Sequence, residues 1–346
     1  MRFAVYGASG FTGSLIVAEL VRRDLTPVLV GRDPARLLAV AQRAGLPDAE
    51  IRVAELTDSE ALAAAFAESD VVINAAGPFT LWGEPVVRAA IAARRPYIDT
   101  TGEPDYLRTI LDTFDEPAKQ AGIAVIPAVT DDGVPGDLIA ALTAAHLDAP
   151  ISDVLVADLR RPGAASRGTA RTMAAITIDQ QTEFRDGRWQ PVREPATTIG
   201  EPGEPGETDP VAVYSMALPG IYTVPRHVRT PQVRSVIRAA AGALFASLTA
   251  EVAETIAEIP DPQALAESHW LMLAEATAVD GRRARGWVTG FDPYAVTAVI
   301  AVEAARRLVA DGAPAGTLAP AQAFEAASFL DQLATAGVKW QVEELA

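Results

Sequence analysis

The sequence contains no cysteine, and this absence removes several chemistries at once. Disulfide bonds, thiolate metal sites and cysteine nucleophiles are excluded. Histidine is also scarce, with 3 residues in the whole chain, so a zinc site built on imidazoles is not expected. We therefore predict a protein without a bound metal.

Positive charge is the second shortage. Lysine and arginine together number 29 against 45 acidic residues, which gives a formal net charge of −16. Such a chain repels phosphate backbones, so no nucleic-acid partner is expected. Lysine occurs only at Lys119 and Lys339, and neither follows a tyrosine by four residues. The Tyr-x-x-x-Lys pair with which short-chain dehydrogenases protonate a carbonyl is therefore missing.

Long hydrophobic runs are missing as well. The longest candidate, 295–305, is too short to cross a bilayer and contains Glu303. A strand pattern begins almost at the first residue, which disfavours a signal peptide. We therefore predict no membrane span and a cytoplasmic location. A length of 346 residues with 49% hydrophobic content favours two packed cores over one.

A glycine turn is the strongest positive signal. The stretch Gly7-Ala8-Ser9-Gly10-Phe11-Thr12-Gly13 follows the apolar run 3–6 and leads into a helical pattern. Gly7 allows a tight turn, Gly10 lets a phosphate approach the backbone, and Gly13 lets the helix pack against the strand. The pattern predicts a pyrophosphate at the helix N-terminus. The alternative is an ordinary strand-to-helix turn that needs glycine only for its shape.

Strand and helix signals alternate through the first third of the chain. Strand cores are predicted at 3–6, 28–30, 51–54, 71–74, 97–99 and 124–126, and helices at 13–23, 34–44, 59–68, 84–95 and 104–121. This alternation is typical of an α/β fold, here a Rossmann-type doubly wound parallel sheet.

The pattern changes after about residue 132. Strands are predicted at 151–159, 173–179, 270–279 and 283–289, hairpins with a long loop at 185–210, and helices at 231–257, 293–311 and 320–336. We predict a dinucleotide-binding domain at 1–132 and a second α+β domain at 133–319. The second domain would hold substrate and form a homodimer on a mixed, mostly antiparallel sheet. The C-terminal helices within 320–346 are candidates to pack back on the first domain.

The end of the second predicted strand indicates which cofactor binds. An acidic residue there would bond the ribose hydroxyl of NAD, but this chain has Gly31-Arg32. A guanidinium at that position can pair with a 2′-phosphate. The nearby Asp33 is better explained as the cap of a helix that begins at Pro34. We therefore predict NADP(H); the alternative is that Arg32 only covers a helix end.

Other candidate ligands follow later strands, because ligands bind at the carboxyl ends of parallel strands. The predicted cofactor-binding residues are Gly7, Ser9, Gly10, Phe11, Thr12, Gly13, Arg32, Asn74, Ala75, Ala76, Gly77, Pro78, Thr100, Thr101 and Gly102. Structural alternatives stay open for several polar residues. Asn74 can hydrogen-bond only to the protein, Glu103 can cap the helix that starts at Pro104, and Asp132 and Asp137 can cap the helix that follows them.

Five segments together resemble the saccharopine dehydrogenase-like oxidoreductases. They are 7–13, 31–32, 74–79, 97–103 and 132–138, with further similarity at Gly168-Thr169 and 316–321. Thr130-Asp131 departs from the family pattern, which commonly has a glycine and an apolar residue there. The resemblance covers nearly the whole chain and is strongest over 1–140. It implies NADP-dependent redox chemistry, in a family that includes imine reductases and the trans-acting enoyl reductases of mycobacterial lipid assembly.

The residues and the resemblance together favour a reductase that delivers hydride from NADPH to a C=N bond of a small metabolite. One alternative is a trans-acting enoyl reductase on a carrier-bound lipid or polyketide intermediate. Another is an NADP-binding sensor or scaffold without turnover. The substrate site is expected between the two domains, near 77–83, 100–104, 130–136 and 166–172.

Four candidate catalytic residues follow from this reading. Asp132 and Glu103 could pair with a substrate ammonium or iminium group. Arg171, or Arg167 beside it, could hold a carboxylate. Tyr222, with Tyr214 as the alternative, could donate a proton.

Overall fold

The computed structural model describes residues 1–176, 182–202 and 208–345. In chain order the first elements are β1 (Arg2–Tyr6), α1 (Phe11–Arg22), β2 (Thr26–Gly31), α2 (Pro34–Arg43), β3 (Glu50–Val53), α3 (Ser59–Phe66), β4 (Val71–Asn74), α4 (Phe79–Ala92), β5 (Tyr97–Asp99), α5 (Pro104–Thr113), α6 (Asp115–Ala121) and β6 (Ala124–Ile126). Next come α7 (Gly133–His146), β7 (Ile151–Asp158), α8 (Arg167–Ala175), β8 (Thr182–Arg185), β9 (Arg188–Pro191), β10 (Thr198–Pro202), β11 (Thr208–Ser215), α9 (Gly220–Thr223) and β12 (Gln232–Arg238). The chain continues with α10 (Ala239–Ala246), α11 (Ala250–Thr255), α12 (Pro262–Ala266), β13 (His269–Ala278), β14 (Arg283–Phe291), α13 (Pro293–Ala310), β15 (Gly316–Thr317), α14 (Pro320–Ala323), α15 (Ala326–Leu333) and β16 (Lys339–Leu345).

The first compact unit comprises Met1–Thr130 and Tyr294–Leu318. Its described strands form a 7-stranded sheet in the order β15-β6-β5-β4-β1-β2-β3. Every neighbouring pair in it is parallel, so the predicted Rossmann-type sheet is confirmed. The strand order reverses between β1 and β4, and the carboxyl ends of these two strands border the crevice where such folds bind ligands.

Both faces of this sheet are buried. Ala4 and Val5, which point to opposite faces of β1, are each 0% exposed. The same holds for Val72 and Ile73 on β4. Helices on both sides explain why these strands read as continuous apolar runs rather than alternating ones.

A buried carboxylate ties α13 to α1. Glu303 is 1% exposed and accepts hydrogen bonds from Arg23 at 2.7 Å, Arg306 at 2.7 Å and Arg307 at 2.8 Å. Burial alone would raise the pKa of Glu303, but the hydrogen bonds from these arginines lower it to about 2. The acidic residue inside the apolar run 295–305 is therefore part of the packing between the two helices.

The second unit comprises Asp131–Pro293 and Ala319–Ala346. Within its described residues a 9-stranded sheet runs β10-β11-β12-β7-β13-β14-β16, with β8 also on β12 and β9 on β8. Only the β12–β7 pair is parallel among these described strands, which confirms the predicted mixed, mostly antiparallel sheet. Gly286 lets α7 lie close to β14, because a Cβ there would be 2.2 Å from the Thr143 hydroxyl oxygen.

Several predicted elements were wrong. The predicted helix 231–257 begins as strand β12, whose β-branched residues pair with buried neighbours, and continues as α10 and α11. Residues 173–175 end helix α8 rather than opening a strand, and 177–181 lie outside the described residues. The predicted helix 104–121 is two helices joined at Phe114. Strand β16 has no counterpart in the prediction, which also overlooked the two-residue β15.

Among the described residues, no helix combines the length and the apolar character needed to cross a bilayer.

Candidate functional site

The glycine turn is compact. Gly7 has a φ of 79°, the Gly10 N–H donates to the Gly7 carbonyl at 2.9 Å, and α1 begins at Phe11. A Cβ at Gly13 would lie 2.2 Å from the Gly7 carbonyl oxygen, so only glycine lets α1 approach the turn this closely. Gly10 occupies the N-cap position of α1, and as a glycine it has no side chain to accept hydrogen bonds from the first N–H groups of the helix. The first backbone N–H groups of α1 can therefore bind an anion.

The other predicted residues of this turn surround that helix end. Ser9 and Thr12 are half-buried there. Phe11 packs its ring on Tyr294 of α13, with ring centroids 5.1 Å apart. Phe11 thus holds α1 in place as well as lying beside the turn.

Arg32 lies at the end of β2 with an exposed side chain. Its guanidinium carbon stands 5.8 Å from the centroid of the Trp82 ring, on the first turn of α4. Asp33 accepts hydrogen bonds from the Ala35 N–H at 3.0 Å and the Arg36 N–H at 3.1 Å. Asp33 is therefore confirmed as a helix cap, and Arg32 is the charged side chain that β2 presents at this edge.

Arg36 is a second cation that the sequence analysis missed. Its Nη2 donates to the Ser9 carbonyl at 3.2 Å, which brings the charge next to the glycine turn. Arg36 lies on the first turn of α2, whereas its partner Ser9 is on another loop, so no local sequence pattern identified it.

Asn74 shapes the loop after β4. It is 0% exposed, its Nδ2 donates to the Tyr97 hydroxyl at 3.0 Å, and its Oδ1 accepts from the Ala76 N–H at 3.1 Å. These bonds hold Ala75 and Ala76 against Gly7, where a Cβ on the glycine would meet them at 3.0 Å. The structural role that the sequence left open for Asn74 is thus observed. The Gly77–Pro78 peptide that follows is cis.

The loop after β5 is organised by Asp99. This carboxylate is 0% exposed and accepts hydrogen bonds from the hydroxyls of Tyr97 and Tyr106 and from the N–H groups of Thr101 and Ala128. Burial raises the pKa of Asp99 to about 6 even though all four bonds favour the ionised form. The network fixes Thr100, Thr101 and Gly102 at the carboxyl edge of the sheet.

Glu103 has a structural role that the sequence did not suggest. It is 1% exposed, and its carboxylate accepts from the Phe79 N–H at 2.6 Å, the Thr80 N–H at 2.7 Å and the Thr80 hydroxyl at 2.5 Å. The two carboxylate oxygens therefore bind backbone N–H groups at the start of α4. They do not cap α5, the helix that follows Glu103 in the chain. These contacts favour a capping role over the predicted contact with substrate.

Acidic residues cluster at the start of α7, in the second unit. Arg160 donates to Asp158 at 2.5 Å and to Asp131 at 3.1 Å. Burial is the main cause of the raised pKa of Asp158, and the half-buried Asp132, which immediately precedes α7, adds to it. Three carboxylates, those of Asp131, Asp132 and Asp158, thus lie close to the Arg160 guanidinium at this end of α7.

The remaining catalytic candidates are engaged elsewhere in the second unit. Arg171 on α8 forms two hydrogen bonds with Glu254, each 2.7 Å long. Its alternative, Arg167, donates to the Ile256 carbonyl at 2.8 Å. Tyr222 is 4% exposed and packs on Trp189, with ring centroids 5.7 Å apart. These contacts give Arg171 and Tyr222 structural partners, and the roles predicted for them stay predictions.

Asp137 is inside α7 rather than at its cap. It is 0% exposed, and its two oxygens accept from the His227 Nε2 at 2.7 Å and the Ala321 N–H at 2.8 Å. Burial works against protonation of His227, but the carboxylate of Asp137 prevails and raises the pKa of the imidazole. The Asp132-to-Asp137 segment therefore joins α7 to two other parts of the second unit.

The residues predicted to bind the cofactor lie together in the first unit, at the carboxyl ends of β1, β2, β4 and β5 or in the loops after them. An open helix N-terminus, a glycine that admits close packing and a cation after β2 fit a dinucleotide with an extra phosphate. The single assignments stay predictions.

Comparison with known proteins bears on the same unit. Residues 3–126 match the family model described as the saccharopine dehydrogenase NADP binding domain. A saccharopine dehydrogenase-like oxidoreductase of Bos taurus is 31% identical over 150 residues, which cover 39% of this chain and 35% of that protein. A trans-acting enoyl reductase of Mycobacterium ulcerans is 33% identical over 138 residues, which cover 39% of this chain and 33% of that protein. These alignments thus span about a third of the length of the curated relatives.

The fold extends further than the sequence similarity. The structure of apo saccharopine dehydrogenase (L-Glu forming) from Saccharomyces cerevisiae aligns over 100% of both chains with a TM-score of 0.64 and 16% identity. At this identity the likeness concerns the fold.

Proposed function

We propose that the whole chain is an NADPH-dependent reductase of carbon–nitrogen double bonds, on the premise that residues 3–126 match the saccharopine dehydrogenase NADP binding domain. The observation that carries the cofactor half of this proposal is the open N-terminus of α1, with Gly13 packed against Gly7 and Arg32 after β2. NADPH bound there would supply the hydride that saturates the substrate carbon.

The acidic start of α7 supports the choice of a C=N substrate. Asp131, Asp132 and Asp158 all lie near the Arg160 guanidinium, and an acidic cluster of this kind favours a cationic substrate. An iminium carbon accepts hydride without a strong acid beside it, because the nitrogen already carries the positive charge. Asp132 is the half-buried carboxylate of the group, and we assign to it the binding and orientation of the substrate cation.

A trans-acting enoyl reductase is the second candidate, because one relative with that name is 33% identical over 39% of this chain. Enoyl reduction needs a proton donor for the α-carbon, and the predicted donor is Tyr222, which is 4% exposed and packs on Trp189. The alignment with that relative covers 39% of this chain and 33% of the relative, so the relative's name suggests a substrate class to test and does not assign it.

The test is NADPH oxidation by the full-length protein with a panel of cyclic iminium compounds and enoyl thioesters. We expect turnover with iminium compounds, and Asp132→Asn should raise KM for them about tenfold or more while the Kd for NADPH is unchanged. Asp112→Asn, which removes an exposed carboxylate on α5, serves as the charge-matched control. Turnover of enoyl thioesters alone would support the second candidate, and binding of NADPH without turnover of any compound would favour a sensor or scaffold.

Location and assembly follow as further proposals. Dependence on a dissociable NADPH pool agrees with a cytoplasmic protein, which fractionation of cells expressing a tagged chain would check. A homodimer agrees with the apolar composition of the second half, and light scattering on the purified protein would measure its mass.

A further inference from the structure

Trp82 contacts the residue that we assign to cofactor selection. The Arg32 guanidinium carbon lies 5.8 Å from the centre of its ring. Arg32 follows β2 and Trp82 lies on the first turn of α4, which begins after β4. The contact therefore joins two of the loops that border the crevice at the carboxyl edge of the sheet.

The indole is presented by a firmly held helix end. The backbone N–H of Trp82 donates to the Pro78 carbonyl at 3.1 Å. The turn that carries Trp82 begins with Phe79 and Thr80, whose N–H groups are both bound by the buried carboxylate of Glu103. Trp82 thus gives Arg32 a fixed surface on which to rest.

Arg32 itself has little else to hold it. Its side chain is exposed, and within the described ranges it forms no ion pair with a carboxylate. An exposed guanidinium that binds a phosphate must lose rotamer freedom, and this loss weakens binding. A cation–π contact made before the ligand arrives removes part of that cost.

We propose that Trp82 is a positioning residue for the choice between NADP(H) and NAD(H), because its ring holds Arg32 ready for the 2′-phosphate. The inference rests on the proposed cofactor function and deepens it. NADH has no 2′-phosphate, so its affinity should not depend on where Arg32 rests. The contribution of Trp82 should also vanish when Arg32 is removed.

The experiment measures the Kd of NADPH and of NADH by calorimetry for the full-length wild type, Trp82→Leu and Trp82→Phe. Leucine keeps an apolar side chain but removes the aromatic face, whereas phenylalanine keeps a face. We expect Trp82→Leu to weaken NADPH about three- to tenfold and to leave NADH within about twofold. Trp82→Phe should retain most of the wild-type ratio of the two Kd values.

Two controls separate positioning from packing. Leu38→Ala removes an apolar side chain on α2 that is 48% exposed, and the ratio should not change. In an Arg32→Ala background, Trp82→Leu should have no further effect on NADPH. The inference is overturned if Trp82→Leu weakens both cofactors equally, weakens neither, or acts with undiminished size without Arg32. A wild type that binds neither dinucleotide would instead overturn the proposed function.

Discussion

Arg32 and Arg36 bring two positive charges to one edge of the first sheet, in a protein whose net charge is −16. Two cations beside one helix N-terminus favour binding of an anion there, even though the net charge of the chain is negative. Charge-assisted hydrogen bonds to a phosphate are worth more than neutral ones, so single substitutions here should have measurable effects.

Arg32→Ala should therefore reduce the preference for NADPH over NADH. Loss of a charged hydrogen bond, about 1.5–3 kcal/mol, corresponds to about a ten- to hundredfold rise in the Kd of NADPH. Titration of wild type and Arg32→Ala with NADPH and with NADH measures the change in the ratio of the two Kd values. Arg43→Ala, at the other end of α2, is the control. Equal affinities of the wild type for NADPH and NADH would contradict the assignment.

The glycine turn offers a matched pair of substitutions. A Cβ at Gly13 would stand 2.2 Å from the Gly7 carbonyl oxygen, whereas one at Gly10 would meet it at 3.3 Å. Gly13→Ala should lower the free energy of unfolding by about 1–3 kcal/mol, because α1 must move away from the turn. Gly10→Ala should fold nearly normally and lose affinity for NADPH. Denaturant unfolding and cofactor titration of both variants check this, and the opposite order of stability losses would refute it.

The sequence predicts residues well where their role is local. The turn glycines and the Asp33 cap depend on neighbours within a few positions, and the structure agrees. The role of Glu103 depends on α4, 24 residues away in the chain, and no local pattern reveals that pairing. Arg36 was missed for the same reason, because its partner Ser9 lies on another loop.

Several helices of this fold depend on a polar side chain that accepts hydrogen bonds at the helix N-terminus. The first turn of α4 relies on the Glu103 carboxylate, while α2 relies on Asp33 and α8 on Ser166. Buried donors at helix ends cost free energy when their partner is removed. Substitution of such a capping residue should therefore lower the free energy of unfolding more than it lowers kcat.

Glu103→Ala tests this distinction. We expect a loss of about 1–3 kcal/mol in unfolding free energy, since two N–H groups of α4 lose their acceptor. The kcat of the molecules that remain folded should change little. A large fall in kcat at unchanged stability would instead support the catalytic role that the sequence suggested.

The contact between α1 and α13 predicts a pH dependence. The folded pKa of Glu303 is about 2, below its ordinary value of 4.5, so the ionised form is favoured in the folded state. Its stabilisation is fully present above pH 4.5 and is lost as the pH falls towards 2. Glu303→Gln should cost about 3 kcal/mol at neutral pH and flatten the acid side of the stability profile.

Urea unfolding at a series of pH values measures this effect. Glu60→Gln, at an exposed position near the start of α3, is the control. An acid limb of equal steepness in wild type and Glu303→Gln would show that other carboxylates govern it.

At the scale of elements, the prediction from sequence was good in the first unit and uneven in the second. Strands buried on both faces leave long apolar runs that are easy to recognise, as in β1 and β4. Strand β12 carries arginines four residues apart, at Arg234 and Arg238, and precedes an alanine-rich helix, so its local pattern favours a helix over the whole stretch. Its pairing with β7 and β11 decides its conformation, and that pairing is not visible in its own sequence.

The whole molecule contains two compact units that the chain enters more than once. Residues 294–318 belong to the first unit and 319–346 to the second. A helical pattern such as that of 293–311 predicts a helix but does not say which core the helix joins. The fold class was therefore predictable, while the path of the chain through the two units was not.

Binding of NADPH should stabilise the whole molecule measurably. A ligand at 100 times its Kd adds about 2.7 kcal/mol to the unit that binds it, so NADPH should raise Tm by several degrees. Differential scanning calorimetry measures the shift, and Gly10→Ala should reduce it. An unchanged Tm at saturating NADPH would contradict the proposed binding site.

The two-residue strand β15 has a practical consequence. It supplies the outer neighbour of β6, and α13 just before it supplies the carboxylate that Arg23 binds. A gene fragment that stops after residue 130 would lose both and leave β6 as a bare sheet edge, the kind of surface that promotes aggregation. A graft of this nucleotide module onto another enzyme must therefore include residues 294–318 as well as 1–130, because the gene encodes the module as two separate segments.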